Sequence, residues 1–219
     1  MYENQFAKNT YNRLGADSTT YRVLDRNAKN WNKAVVVSDW TSSMYPYTAQ
    51  LLIYALSAPQ GQVDVVRFVF FNDGDEKETS DKKLGQAGGI YHSKTNSLED
   101  ALETMKLCAA KGKGGDVPEN DIEAILEAIQ SYPEAQRVLL IADNSAPVRD
   151  IELLSKVTKP VNIILGRSHG FPYINQDFIR IARETKGSLH TEYNDYQGES
   201  LEKLIKDIEA YKAKQKRKN

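Results

Sequence analysis

The sequence is poor in the residues that build disulfide frameworks and zinc centres. Its 219 residues include one cysteine, Cys108, and three histidines. A single cysteine excludes an internal disulfide framework and a cysteine-rich zinc site, so the apolar core has to stabilise the fold. His92, His169 and His190 lie in separate segments without the spacing of zinc-binding motifs. The histidines therefore do not indicate zinc either.

Long apolar runs are also absent, and the formal net charge is only −1 at pH 7. No run approaches the roughly 18 apolar residues that a membrane helix needs, and the first residues lack the basic start and apolar stretch of a signal peptide. The 29 Lys and Arg residues balance 30 Asp and Glu residues, which leaves no global field to attract nucleic acid. We predict a soluble protein that neither inserts into a membrane nor binds nucleic acid. Its localisation stays open: cytoplasmic if the chain is full length, exported if it is a fragment of a longer precursor.

Hydropathy patterning divides the chain into three parts. Residues 1–32 contain spaced aromatics among polar residues without a sustained period, which predicts an arm or linker. Residues 33–211 alternate short β-branched runs with apolar residues at helical spacing, which is typical of one α/β domain. Residues 212–219 are rich in Lys and Arg and predict a basic C-terminal tail on the end of a helix.

The alternation within residues 33–211 predicts a doubly wound, mostly parallel, Rossmann-like sheet with helices on both faces. Six strands are expected at 34–38, 65–71, 89–92, 138–142, 161–165 and 188–193, the third being a short edge strand. Helices are expected near 49–56, 97–109, 122–129, 151–157, 178–185 and 201–211. Ligands of such sheets bind beyond the carboxyl ends of the strands, near the point where strand order reverses.

Oxygen-bearing side chains follow two of the predicted strands. Asp39, Thr41 and Ser43 occupy the turn after the first strand, so a carboxylate and two hydroxyls can converge from five residues. Asp143 ends the strand at 138–142, and Asp116 lies in the loop before the helix near residue 122. Hard divalent cations such as Mg²⁺, Mn²⁺ or Ca²⁺ prefer oxygen ligands of this kind. The sequence therefore predicts a metal site at Asp39, Thr41 and Ser43, which the loops that carry Asp116 and Asp143 would complete.

The same segments resemble the motifs of von Willebrand factor A (VWA) domains. The run Asp-Trp-Thr-Ser-Ser at 39–43 looks like the family's D-x-S-x-S motif, with Thr41 replacing the first serine. The run Gly-Gly-Asp-Val-Pro-Glu at 114–119 resembles the G-G-D-x-P-E loop of one branch, with Asp116 where many members carry a metal-binding threonine. Asp143 matches the third-loop aspartate, and residues 179–189 are similar to the segment before the family's last strand. The resemblance covers about residues 33–211.

This resemblance implies a VWA-like fold with a metal-ion-dependent adhesion site (MIDAS). In such a site the cation binds an acidic side chain of a protein partner, and no covalent bond is made or broken. We therefore expect a binding module and not an enzyme. Asp116 adds a negative charge where threonine is usual, so we hypothesise firmer metal retention and less bias towards acidic ligands. Tighter Mg²⁺ binding by an Asp116→Thr variant would contradict this hypothesis.

Two alternatives use the same residues differently. An aspartate followed by a threonine at the end of a buried strand also opens haloacid-dehalogenase-like phosphatases, in which Asp39 would be the nucleophile beside Mg²⁺. Here Thr41 occupies the place of the usual second aspartate, and no strand-end Asp-Asp pair is present. The other alternative is a metal-free VWA scaffold. In it, Asp39, Thr41 and Ser43 cap the next helix, Asp116 opens a capping box and Asp143 forms a turn.

Overall fold

A computed structural model describes residues 17–57, 64–112, 114 and 117–217. The strands are β1 (Ala34–Asp39), β2 (Val65–Phe71), β3 (Ile90–His92), β4 (Arg137–Asp143), β5 (Val161–Gly166), β6 (Ser188–His190) and β7 (Asp195–Tyr196). The α-helices are α1 (Thr19–Asn27), α2 (Tyr45–Ser57), α3 (Leu98–Lys111), α4 (Asp121–Ser131), α5 (Gln176–Glu184) and α6 (Glu199–Lys216). Short 3-10 helices span Ala28–Asn30, Thr79–Asp81 and Ile151–Lys156.

The seven described strands form one sheet in the order β3-β2-β1-β4-β5-β6-β7. The five central strands are parallel, whereas β3 and β7 pair antiparallel at the two edges. The predicted α/β architecture with a mostly parallel sheet is confirmed. The predicted number of six strands is wrong, because the strand expected at 188–193 ends at His190 and the chain turns back to form β7. A two-residue strand is too short to show the alternation from which strands are predicted.

Alternate residues of β1 belong to two separate core clusters. Val35 and Val37 pack with side chains of α4, α5 and α6, such as Ile122. Val36 packs with side chains of α1, α2 and α3, such as Leu51. All six residues of β1 are buried, because a central parallel strand has helices on both sides. This double burial explains why its sequence is continuously apolar and β-branched.

Residues before β1 also contribute to the core. Val23 and Leu24 of α1 are fully buried, and Trp31 is 3% exposed. The arm or linker predicted for residues 1–32 thus includes a helix packed into the domain, while residues 1–16 lie outside the described residues. At the other end, α6 continues to Lys216, so most of the basic tail predicted at 212–219 is the last part of a helix. None of the described helices is both long and apolar enough to cross a membrane.

The strand order brings the predicted site residues to one edge of the sheet. β1 and β4 are parallel neighbours with Ser38 opposite Ile141, so their carboxyl ends lie side by side. The chain crosses from β1 to β2 on one side and from β4 to β5 on the other. The boundary between β1 and β4 is therefore the point where strand order reverses, and it is where α/β sheets form a ligand-binding crevice.

Candidate metal centre

The turn between β1 and α2 presents the first oxygens of the site. The backbone N–H of Thr41 donates to Asp39 Oδ1 at 2.7 Å, and Thr41 Oγ1 lies 3.3 Å from Ser43 Oγ. Asp39 is 1% exposed, and its Oδ2 is buried without a hydrogen-bond partner in the described structure. The local bond to Thr41 orients the carboxylate, as aspartates commonly do in turns. One acceptor oxygen of Asp39 is left unsatisfied.

Asp143 at the end of β4 joins this group from the adjacent strand. Ser43 Oγ donates to Asp143 Oδ2 at 3.0 Å, and the backbone N–H of Ser145 donates to Oδ1 at 2.8 Å. Arg167 Nη1 donates to the same Oδ2 at 2.9 Å. The oxygens Thr41 Oγ1, Ser43 Oγ and Asp143 Oδ2 thus form a chain with steps of 3.0–3.3 Å. The structure brings these predicted site residues together.

These side chains line an open cleft of about 360 Å³ at the carboxyl edge of the sheet. Gly114 and Glu119 line it from the loop before α4. Gly114 has a φ of +91°, and a Cβ there would approach Thr41 Cγ2 to 3.0 Å. The loop therefore needs glycine to pass this close to Thr41. Asp116, the fifth predicted metal residue, lies outside the described residues.

Glu119 is a further candidate for the metal centre, and it was not predicted as a site residue from the sequence. It is 6% exposed, and its Oε2 is buried without a hydrogen-bond partner in the part of the chain that is described. Its backbone is held in place because its N–H donates to Pro147 O at 2.9 Å and its carbonyl accepts from Arg149 N at 2.8 Å. Glu119 is the glutamate that ends the G-G-D-x-P-E segment, so the resemblance could have indicated it as a site residue. The same glutamate also fitted a capping box.

The N-terminus of α4 is capped by a different residue. Asp150 accepts from the backbone N–H groups of Ile122 and Glu123 at 3.1 and 2.6 Å. Asn120 at the N-cap position makes no side-chain capping bond. Asp150 supplies the acceptors that the helix start requires, which leaves Glu119 available to the cleft. The capping interpretation of the loop is thus not needed to explain where α4 begins.

Burial and neighbouring negative charge raise the pKa of two carboxyl groups at this edge of the sheet. Burial raises the pKa of Asp39 from 3.8 to about 7 against the opposing hydrogen bonds from Thr41, and the charges of Asp143 and Asp73 add to the rise. Burial and the charge of Asp39, followed by other carboxylates, raise the pKa of Glu119 to about 11. Among the described residues, no Lys, Arg or His forms an ion pair with Asp39 or Glu119 that would favour the ionised form. A bound cation would supply that missing charge.

The neighbouring carboxylates have partners of their own. Asp73 pairs with Lys82 and, at 3.0 Å, with Arg149. Asp143 pairs with Arg167, whose side chain is 47% exposed. Lysine and arginine side chains therefore neutralise Asp73 and Asp143. In the part of the chain that the structure describes, none forms such an ion pair with Asp39 or Glu119.

The donor set fits a hard divalent cation. Among the described residues, no three His, Cys, Asp or Glu side chains lie close enough to hold a metal by themselves. The candidate centre depends instead on the hydroxyls of Thr41 and Ser43 together with carboxylates. Mg²⁺ binds protein through few carboxylates and keeps several waters, so a mixed set of this kind suits it. Two buried carboxylate oxygens, on Asp39 and Glu119, also have no hydrogen-bond partner among the residues that the structure describes.

No protein-family model matches this sequence, and no curated protein sequence is significantly similar to it. The residues of the cleft and their geometry are therefore the basis for inferring a function.

Proposed function

We propose that this chain is a metal-dependent protein-binding module of VWA type, in which Mg²⁺ or a similar divalent cation engages an acidic side chain of a protein partner. The observation that carries the proposal is the convergence of Thr41 Oγ1, Ser43 Oγ and Asp143 Oδ2 beside the unpaired carboxylate oxygen of Asp39. The position of the cleft between β1 and β4 supports it, since this is the ligand-binding edge of such sheets.

Each residue has a definite part in this proposal. Thr41, Ser43 and Asp143 hold the cation directly or through water, and Asp39 and Glu119 contribute negative charge once the bound cation favours their ionised forms. Asp116 belongs to the set through sequence resemblance alone. Because two of the ligands are neutral hydroxyls, the bound cation keeps enough positive charge to accept a carboxylate from a partner.

A phosphatase with Asp39 as nucleophile is less well supported by the geometry. Asp39 is 1% exposed and does not line the cleft. Its Oδ1 is engaged by the Thr41 N–H and its Oδ2 is buried. A nucleophile has to come within bonding reach of its substrate. We therefore propose binding, without catalysis, as the function of this cleft.

Titration with Mg²⁺ and Mn²⁺ tests the proposal, with metal binding measured by calorimetry and the melting temperature measured by thermal shift. Binding to the folded state raises the melting temperature of the wild type, and Asp39→Ala should lose this rise. The adjacent serines offer a matched pair: Ser43→Ala should lose metal binding, whereas Ser42→Ala should retain it because the Ser42 side chain is exposed and outside the oxygen chain. A wild type without a metal response would favour the metal-free scaffold. Equal losses in the two serine variants would show that hydroxyl position is irrelevant.

A further inference from the structure

Arg167 brings a positive charge into the same cleft. It directly follows β5, whose last residue, Gly166, lies opposite Asp143 in the parallel register. Its backbone has a φ of +54°, a left-handed conformation that few non-glycine residues adopt. The adjacent strand ends place the guanidinium next to Asp143, with 2.9 Å between Nη1 and Oδ2.

The oxygen that Arg167 engages is shared with the candidate metal ligands. Asp143 Oδ2 accepts from Ser43 Oγ as well as from Arg167 Nη1. A divalent cation held by Ser43 and Asp143 has to approach this oxygen, where it meets a guanidinium of like charge. The two cations therefore compete for one carboxylate.

The exposure of the Arg167 side chain allows its ion pair with Asp143 to form and to open. Its side chain is 47% exposed, so leaving Asp143 returns the guanidinium to water at little cost. The ion pair of Asp73 and Lys82 differs, because both of these side chains are fully buried and separation would leave two buried charges. A divalent cation can therefore displace Arg167 from Asp143 more easily than it could displace Lys82 from Asp73.

We propose that Arg167 is an affinity-setting residue of the cleft, whose guanidinium neutralises Asp143 and is displaced from it when a divalent cation binds. This inference rests on the proposed function, since it concerns the same cation. It assigns to Arg167 the role of a competitor that keeps cation binding reversible among several carboxylates.

The test compares Mg²⁺ and Mn²⁺ affinities of wild type, Arg167→Gln and Arg167→Lys by calorimetry. Loss of the competing charge in Arg167→Gln should tighten Mg²⁺ binding by about tenfold, whereas Arg167→Lys keeps a charge and should stay near wild type. Arg180→Gln is the matched control, because Arg180 is a half-exposed arginine paired with Glu184 on α5, outside the cleft. It should leave Mg²⁺ affinity unchanged.

A second readout needs no affinity measurement. In EDTA, Arg167→Gln should melt below wild type because Asp143 has lost its counter-charge, and saturating Mg²⁺ should remove or reverse this difference. Equal or weaker Mg²⁺ binding by Arg167→Gln, with a metal response present in wild type, overturns this inference and leaves the proposed function standing. No metal response in wild type or in either Arg167 variant overturns both.

Discussion

Replacement of Asp39 by asparagine tests the electrostatics of the cleft through the pH dependence of stability. Burial raises the pKa of Asp39 from 3.8 to about 7 in the folded protein. The folded state therefore holds this proton up to about pH 7, whereas the unfolded chain releases it near 3.8. Since folding takes up a proton between these two values, the free energy of unfolding falls as pH rises through the window. Asparagine has no such proton, and its Oδ1 can still accept from the Thr41 N–H.

The size of the effect follows from the pKa difference. One pKa unit corresponds to about 1.4 kcal/mol, so the full window sets a ceiling of about 4 kcal/mol. Between about pH 5 and about pH 8, the wild type should lose about 2.5 kcal/mol more stability than Asp39→Asn. The raised pKa of Glu119 produces a slope of the same sign in both proteins. Because the charge of Asp39 contributes to the raised pKa of Glu119, the difference between the two slopes reports on Asp39 together with its effect on Glu119.

Urea unfolding in EDTA at the two pH values measures this difference. Asp207→Asn serves as the control, because Asp207 is exposed on α6 and its replacement should leave the wild-type slope unchanged. Repeating the series in saturating Mg²⁺ should shrink the wild-type loss, since a bound cation favours the ionised carboxylate. Parallel pH profiles for wild type and Asp39→Asn in EDTA would refute the reasoning.

Three further substitutions probe the rest of the molecule. Leu24→Ala should lower the free energy of unfolding by about 3 kcal/mol in urea, because Leu24 is fully buried in the core; a change well below 1 kcal/mol would show that α1 is dispensable. Gly114→Ala should weaken Mg²⁺ binding in calorimetry, since its Cβ would press on Thr41, and unaltered affinity would disprove that contact. Asp195→Asn removes the carboxylate that pairs with Arg26 of α1 at 2.9 Å and with His190 at 2.8 Å, so thermal melting should show a loss of about 1 kcal/mol, and a neutral result would mean that both pairs are solvent-screened.

Short-range patterns were sufficient for several features. The buried run at 34–38 predicted a central parallel strand, because only double burial favours continuous β-branched residues. Ser97 was predicted to start a helix, and it does cap α3 by accepting from the Asp100 N–H at 3.2 Å. Both features depend on residues within a few positions of each other along the chain. Local sequence carries that information directly.

Features that depend on distant residues were harder to predict. α1 was not expected because its aromatic and polar neighbours hide the apolar period, although Val23 and Leu24 are fully buried. The role of Glu119 was ambiguous, since a glutamate at that position serves equally well as a helix cap. Asp150, 31 positions along the chain from Glu119, removes the ambiguity by capping α4 itself. No window of neighbouring residues contains that relationship.

The sequence by itself determined the chemistry available at the cleft: Asp39, Thr41 and Ser43 on one strand end and Asp143 on another, with oxygen donors suited to a hard cation. Only the tertiary structure decided how these groups combine. The pairing of β1 with β4 set Ser43 against Asp143, and the pairing of β4 with β5 placed Arg167 on the same carboxylate. The physical reason is that strand order depends on how the whole core packs. Contacts across a sheet edge therefore join residues that no local pattern relates.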